Sequence, residues 1–264
     1  MIDLHTHVLP GIDDGPAAID GSLAIARAAA AGGTRALVAT PHVNWRYRND
    51  AETIARLVQE LGERLASEQV LTSAGETLAI LPGAEIALTM VPELQARQLA
   101  ALSIAGGPWL LIEPPFTPQA LNLDALLLEL QSRGHRIVIA HPERCPAFQR
   151  DPRMLERLLE AGMLSSVTAG SLTGRFGGEA RELALALARD GMLHNVASDA
   201  HDELGRPPII AAELERAGLG PLRQWLTVDV PGAILAGGEI PSRPAISLPA
   251  LTPERASRWR VLRR

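Results

Sequence analysis

The chain has 264 residues, 47% of them hydrophobic and 21% charged, which allows one large domain or two small ones with a sizeable core. Its net charge of -5 and isoelectric point near 5.8 argue against a general nucleic-acid-binding protein. All 25 basic residues are arginine, which excludes catalysis through a lysine Schiff base and a phosphate-binding P-loop, since both need a lysine. The single cysteine excludes an intramolecular disulfide.

Short apolar runs alternate along the chain with longer segments of helical periodicity. Nearly continuous apolar runs of four or five residues are typical of strands that are buried on both faces of a sheet. Glycines at or just beyond the ends of the helical segments fit left-handed caps. The predicted strands are 1–4, 36–39, 78–81, 109–112, 136–140, 165–168 and 193–197, and the predicted helices are 18–31, 51–67, 121–133, 152–161, 179–189 and 208–217.

This alternation predicts right-handed parallel crossovers and therefore an α/β sheet, open or closed. Seven strands without a break in composition favour a single-domain, closed or nearly closed barrel over residues 1–241. Residues 242–264 differ, since they contain three prolines and six arginines. They are predicted to form either a solvated tail or a basic strap that contacts a partner or an acidic membrane face.

Residues that commonly bind metals follow six of the predicted strands. In a parallel barrel the carboxyl ends of the strands converge on one face, so these side chains are expected to meet there. A mixed set of imidazoles and carboxylates suits Mn²⁺, Zn²⁺ or Fe²⁺, and its size exceeds one coordination shell, which implies two or three ions. The residues are His5, His7, His42, Glu85, Glu113, His141, Asp199 and His201.

The loop after the first predicted strand contains Asp13 and Asp14 between two glycines. The pair forms either a simple turn or a loop that supplies one further ligand, and its place on the metal-binding face favours a ligand. His135 and His194 lie at the opposite ends of their strands and are expected to be structural or exposed.

Five segments resemble the polymerase-and-histidinol-phosphatase (PHP) family, and the resemblance spans residues 2 to about 208, most of the chain. Within that family the chain is similar to manganese-dependent protein-tyrosine phosphatases of bacterial capsule and exopolysaccharide systems. The segments are IDLHTHVLPGIDDG at 2–15, ATPH at 39–42, AHPER at 140–144, SLTGRFG at 171–177 and ASDAH at 197–201.

The resemblance implies a distorted (β/α)7 TIM-like barrel that binds three divalent ions, Mn²⁺ in the first place and Zn²⁺ or Fe²⁺ as alternatives. Glu85 would bridge the first and second ions. The implied ligands are His5, His7, Glu85 and Asp199 for the first ion, Glu85, Glu113 and His141 for the second, and Asp14, His42 and His201 for the third.

Such a site is expected to hydrolyse phosphotyrosine on a protein by attack of a metal-bridging hydroxide, with no covalent intermediate. Arg144 and Arg206 follow metal-type residues and are expected to clamp the phosphate; the alternative is surface charge. Asp13 is expected to orient a ligand or water. Cys145 lacks the arginine spacing of a cysteine-based phosphatase, because Asp151 occupies the required position.

The resemblance further implies a bacterial tyrosine autokinase as the partner. The sequence has no signal pattern and no apolar run long enough for a membrane span, so a cytoplasmic protein is expected. Two alternatives remain open at this stage. One is a histidinol-phosphate-type phosphatase or a phosphodiesterase on the same metals, and the other is a metal-binding interaction module without catalysis.

Overall fold

The computed structural model describes residues 1–117, 122–246 and 248. Its strands are short and, apart from β4, largely buried, as the apolar runs predict, and most lie within a residue or two of the predicted bounds. Two short strands, β3 and β5, were not predicted. The strands are β1 Ile2–Thr6, β2 Ala36–Ala39, β3 His42–Val43, β4 Ala79–Pro82, β5 Glu85–Ala87, β6 Trp109–Glu113, β7 Arg136–Ala140, β8 Leu164–Thr168 and β9 Asn195–Ala197.

The helices surround these strands and pack their apolar faces on them. In the second helix the Asp50 carboxylate accepts a hydrogen bond from the backbone N–H of Thr53, a normal N-cap, and the helix has the predicted bounds. The α-helices are α1 Ile19–Ala31, α2 Ala51–Ser67, α3 Ala96–Ala101, α4 Leu123–Ser132, α5 Pro146–Arg150, α6 Pro152–Glu160, α7 Gly178–Asp190, α8 Ala211–Arg216 and α9 Val230–Leu235.

Among the described residues all pairs of the named strands are parallel, and they form two sheets. One has the order β1-β2-β4 and the other has the order β3-β5-β6-β7-β8-β9. The α/β class with parallel sheets is therefore confirmed. Only two residues separate β2 from β3, and only two separate β4 from β5. Pro41 lies in the first break, where the lack of an amide hydrogen interrupts the ladder.

The first and last strands of the chain lie next to each other. Thr6 forms an isolated parallel bridge with Ala200, the His7 N–H donates to the Ala200 carbonyl (2.8 Å), and the Asp199 N–H donates to the His5 carbonyl (2.9 Å). Residues nearly two hundred positions apart in sequence therefore share one corner of the fold.

The residues around position 242, where the predicted C-terminal tail begins, pack against the rest of the fold. Arg243 donates to the Ala188 carbonyl (3.0 Å), and the Trp225 indole donates to the Pro241 carbonyl (3.0 Å). Most of the predicted tail lies outside the described residues. No helix in the described part of the chain combines the length and the apolar composition of a membrane span.

Candidate metal centre

The carboxyl ends of the strands bring all nine predicted ligands into one cluster. Their nitrogen and oxygen atoms form four overlapping groups, and within each group the ligand atoms lie within 4.8 Å of one another. Most of the side chains are buried, although Asp14 is exposed. The groups are His5, His7 and Asp199; His5, Glu85 and His141; His42, Glu85 and Glu113; and His7, Asp14, His42 and His201.

The group predicted for the first ion is the tightest. His5 Nε2 lies 3.2 Å from His7 Nε2, 3.3 Å from Glu85 Oε2 and 3.5 Å from Asp199 Oδ1. His7 Nε2 lies 3.2 Å from Glu85 Oε2 and 3.4 Å from Asp199 Oδ1. Adjacent atoms that bind one ion at about 2.0–2.2 Å are separated by roughly 3–3.5 Å, so these four side chains fit a common cation.

Glu85 links this group to the one predicted for the second ion. Its Oε1 lies 2.6 Å from His141 Nε2, while Glu113 is 3.9 Å from the same nitrogen. Burial and the adjacent Glu85 carboxylate raise the pKa of Glu113 to about 8. Two buried carboxylates at this spacing repel each other, and a divalent cation between them would remove that cost.

The group predicted for the third ion surrounds the exposed Asp14. Its Oδ1 lies 3.4 Å from His42 Nε2 and 3.3 Å from His201 Nε2, and the His201 imidazole lowers the pKa of Asp14. His42 also reaches the second group, because its Nδ1 is 3.0 Å from Glu85 Oε2. The observed groups overlap more than the predicted partition, because His5, His7 and His42 each belong to two of them.

Several ligand atoms are buried without a hydrogen-bond partner. They are Glu85 Oε2, His42 Nδ1 and His201 Nε2, and each points into the cluster. Glu85 Oε2 and His42 Nδ1 lie 3.0 Å apart, but without the geometry of a hydrogen bond. An unpaired buried polar atom costs about 1–3 kcal/mol, so a structural role alone does not explain the three. Cations bound between these atoms would satisfy all three, and the residues fit divalent metals of the Mn²⁺, Zn²⁺ and Fe²⁺ class.

Charge in the cluster follows the same pattern. Against the cost of burial, the nearby imidazole of His5 holds the pKa of Glu85 and of Asp199 well below their ordinary values. Burial, with a contribution from Arg144, lowers the pKa of His141 to about 4. Ionised carboxylates and a neutral imidazole are the states that bind metals. The raised pKa values of Glu113 and His7 favour protonated side chains, and a bound cation would have to displace those protons.

Asp13 contacts His7 from outside the cluster. Its Oδ2 lies 2.7 Å from His7 Nδ1 and accepts from the His42 N–H (3.1 Å), while its Oδ1 accepts from the Gly15 N–H (2.9 Å). A Cβ on Gly15 would lie 2.3 Å from the His7 carbonyl oxygen, so this close approach requires glycine.

Two predicted ligands have unusual backbones. His141 has a φ of 29° and Asp199 has a φ of 53°, in the left-handed region that non-glycine residues rarely adopt. Such a conformation costs roughly 1–3 kcal/mol and is concentrated at functional sites. Each residue stands at the carboxyl end of its strand.

Arg144 and Arg206 reach the cluster from two different loops and meet at one carboxylate oxygen. Each donates to Asp199 Oδ2 at 2.5 Å, through Nη1 of Arg144 and Nη2 of Arg206. Phe176 lies between them, with its ring centre 4.4 Å from the Arg144 Cζ and 5.9 Å from the Arg206 Cζ. Both guanidinium groups therefore border the metal centre, as expected of phosphate-binding arginines.

Glu143 fixes the loop that carries Arg144. This fully buried carboxylate accepts from the Thr168 N–H (3.1 Å) and the Ser171 hydroxyl (2.6 Å). Cys145, next in the loop, is buried, and burial raises the pKa of its thiol. A protonated, buried thiol is a poor nucleophile, which agrees with the sequence-based exclusion of a cysteine mechanism.

Aromatic side chains at the edge of the centre were not assigned a role from the sequence. The Phe116 ring stacks on His141 (5.4 Å between centroids) and lies 5.2 Å from the Arg144 Cζ. Tyr47 stacks on His42 from the other side (6.1 Å, planes within 8°). Aromatic residues make up only 3% of the chain, so an aromatic residue close in sequence to a strand-end ligand is uncommon. That proximity was the one sequence signal that could have indicated a role for Phe116 and Tyr47.

The profile of the family described as "Capsular polysaccharide synthesis, CpsB/CapC" matches residues 1–217. The chain is 38% identical over 205 residues to the tyrosine-protein phosphatase YwqE of Bacillus subtilis (strain 168), covering 76% of this chain and 78% of that protein. It is 33% identical over 210 residues to the putative tyrosine-protein phosphatase CapC of Staphylococcus aureus, covering 78% and 79%.

A solved structure agrees with these matches. It comes from work described as "Crystal structures of YwqE from Bacillus subtilis and CpsB from Streptococcus pneumoniae, unique metal-dependent tyrosine phosphatases". The superposition has a TM-score of 0.78 at 32% identity and covers 94% of this chain and 100% of that one.

Proposed function

The chain belongs to the CpsB/CapC family of capsular polysaccharide synthesis, and we propose on this basis that it is a metal-dependent phosphatase that hydrolyses phosphotyrosine on proteins. The observation that carries the proposal is the convergence of nine imidazole and carboxylate side chains beside two arginines. The combination suits a phosphate monoester, whose reaction needs mainly positioning and neutralisation of charge.

Divalent cations held by the nine residues would activate water and neutralise the phosphate oxygens. The protein's own groups supply the rest. His7 is held in one orientation by Asp13, so its Nε2 faces Glu85 and Asp199. The planar guanidinium groups of Arg144 and Arg206 have further N–H donors that can bind the non-bridging oxygens of the phosphate.

The ring at the edge of the centre favours an aryl ester. In phosphotyrosine the aromatic ring is bonded directly to the ester oxygen, so the ring lies next to the bound phosphate. Phe116 is 45% exposed and contacts both His141 and Arg144, so its ring offers an open aromatic face beside the residues that are expected to bind the phosphate. A histidinol-phosphate-type substrate carries its phosphate on an aliphatic carbon and would gain less from this contact.

We propose three ions, Mn²⁺ in the first place, in the partition that the sequence implies. The tight spacing of His5, His7, Glu85 and Asp199 supports a first ion, and Glu85 Oε1 next to His141 supports a bridge to a second. Asp14 between His42 and His201 supports a third.

We propose further that the strands form one distorted (β/α)7 barrel over residues 1–241. The bridge between Thr6 and Ala200 supports closure between the first and last strands. The two-residue breaks after β2 and β4 support treating β2 with β3, and β4 with β5, as interrupted single strands. A cytoplasmic location and a bacterial tyrosine autokinase as the substrate protein complete the proposal.

The test uses the purified full chain with Mn²⁺, assayed on a phosphotyrosyl peptide, histidinol phosphate and a phosphodiester. We expect the peptide to be the best substrate, and we expect His7→Ala to remain folded while its turnover falls by orders of magnitude. If histidinol phosphate or the diester were hydrolysed best, that compound would replace phosphotyrosyl protein as the proposed substrate. Metal binding without hydrolysis of any of them would indicate an interaction module.

A further inference from the structure

A short turn of unusual composition leads directly out of the metal centre. Residues 43–48, here called the arginine hairpin, have the sequence VNWRYR, and the antiparallel bridge between Val43 and Arg48 closes the turn. The Asn44 side chain accepts from the N–H groups of Arg46 and Tyr47 (2.9 Å each), and the Asn44 N–H donates to the Tyr47 carbonyl (2.9 Å). The arginine hairpin is therefore a built turn with defined hydrogen bonds.

The arginine hairpin has a fixed position relative to the predicted third ion. Tyr47 stacks on the ring of His42 with the planes nearly parallel. Asn49, immediately after the turn, donates to the carbonyls of His42 (2.8 Å) and Ile12 (3.0 Å). These contacts attach the turn to the two segments that carry Asp14 and His42, two of the three ligands of that group.

The arginine hairpin presents positive charge and aromatic surface to solvent. Trp45 is 54% exposed, and the guanidinium of Arg48 lies 5.2 Å from its ring centre, while that of Arg46 lies 5.0 Å from the ring of Tyr47. Neither arginine forms an ion pair with an acid among the residues that the structure describes. Arg56, Arg64 and Arg133, on helices elsewhere, each pair with a glutamate four residues away.

Two acids close to the turn in sequence or in space already have partners. Asp50 caps α2 through the Thr53 N–H, and Asp14 faces the imidazoles of His42 and His201. The two guanidinium groups are thus left stacked on aromatic rings, with donors free to meet carboxylates from another molecule.

We propose that the arginine hairpin binds an acidic segment of the phosphotyrosyl protein beside the phosphotyrosine itself. The proposal rests on the proposed function and adds the chemistry that its substrate must carry. Because the turn starts one residue after the predicted ligand His42 and spans roughly 10 Å, the acidic residues would lie within about three or four extended positions of the phosphotyrosine. Trp45 adds an exposed apolar face against which the same segment can pack.

The experiment compares two phosphotyrosyl peptides of equal length, one with acidic residues beside the phosphotyrosine and one with serines in their place. The variant is Arg46→Gln/Arg48→Gln in the full chain with Mn²⁺. The matched control is Arg35→Gln/Arg133→Gln, which removes the same charge at exposed sites near the amino-terminal ends of β2 and β7. Each protein is assayed for kcat and KM at about 50 mM and about 300 mM salt.

We expect wild type and control to have a KM for the acidic peptide that is lower by roughly fivefold than for the serine peptide, with the difference shrinking at high salt. The hairpin variant should lose this difference while its kcat and its turnover of p-nitrophenyl phosphate stay unchanged.

Equal KM values for the two peptides in wild type, or a preference that survives in the hairpin variant, would overturn the inference and leave the phosphatase intact. Vesicles of phosphatidylglycerol and phosphatidylcholine provide a further readout. Hairpin-dependent binding to them, without an effect on the peptides, would assign the surface to a membrane and overturn the inference. Failure of wild type to hydrolyse either peptide would overturn the proposed function and the inference with it.

Discussion

Asp13 and His7 form a carboxylate–imidazole pair in which Asp13 Oδ2 lies 2.7 Å from His7 Nδ1, on the side of the ring that faces away from the metal centre. The contact fixes the tautomer of the imidazole and leaves Nε2 free to bind a cation. Pairs of this kind are common behind histidines that ligate metals, because they orient the ring and increase its basicity.

Replacing Asp13 with alanine should therefore weaken metal binding while the fold is kept. We expect the affinity for Mn²⁺ to fall roughly 10- to 100-fold, with activity restored in part at high Mn²⁺ concentration. Titration calorimetry measures the affinity, and Asp20→Ala, an exposed acid in the first turn of α1, is the control. An unchanged affinity in Asp13→Ala would show that His7 needs no orienting partner.

Arg144 and Arg206 should act on the phosphate and leave metal content unchanged. Each arginine donates to Asp199 from the edge of the centre, so truncating either one removes a donor to that carboxylate. We expect Arg144→Ala and Arg206→Ala to lower kcat/KM for p-nitrophenyl phosphate by roughly 10²-fold, and to weaken inhibition by inorganic phosphate. Metal analysis and kinetics are measured on the same samples. If metal content fell in proportion to the rate, the arginines would act by holding the metal ligand Asp199 in position and would not act on the phosphate.

Phe116 should determine the preference for aryl phosphates. One aromatic pair is worth about 0.5–1.5 kcal/mol, so Phe116→Ala should reduce the ratio of phosphotyrosyl to phosphoseryl peptide turnover by roughly two- to tenfold. Leu128→Ala on α4 is the control, because its exposure of 44% nearly equals the 45% of Phe116. An equal loss on both peptides would mean that Phe116 supports His141 and Arg144 without recognising the substrate ring.

His194 should make the fold sensitive to acid at a place remote from the metals. Burial lowers the pKa of this imidazole to about 4, and its Nδ1 lies 3.3 Å from both the backbone nitrogen and the hydroxyl of Ser165. The depressed pKa means that the unfolded state binds the proton first. Stability is therefore fully present above about pH 6.5 and falls as the pH decreases towards 4.

We expect wild type to lose about 2–3 kcal/mol of unfolding free energy over this interval through His194, beyond the loss seen in His194→Gln. Urea unfolding of metal-free protein at several pH values measures the difference. If the unfolding free energies of the two proteins changed with pH in parallel, His194 would not contribute to the acid sensitivity.

The positions of the ligands could be predicted because one rule places them, namely that the carboxyl ends of parallel strands meet on one face. His42 and Glu113 are each weak signals in isolation, yet both lie in the cluster. The position of His42 between two groups was not predictable, since it depends on the orientation of a ring in space. The short strands β3 and β5 escaped prediction because two or three residues carry no readable period.

The environment of each ligand was harder to read than its position. That Arg144 and Arg206 share a single oxygen of Asp199 depends on two loops that the sequence places on one face without fixing their separation. The contacts of Phe116 and Trp45 with guanidinium groups depend on side-chain packing between neighbouring segments. Closure of the barrel and most of the arginine-rich segment after residue 241 stay predictions.

The pairing of the chain's beginning with residues near position 200 has a consequence for biosynthesis. His5 and His7 emerge from the ribosome first, whereas Asp199 and His201 are among the last ligands to be made. A nascent chain shorter than this lacks Asp199 of the first set and His201 of the third, and should not retain those two ions tightly. Loading with metal would therefore be a late event in maturation, and fragments released early would remain inert towards phosphorylated proteins.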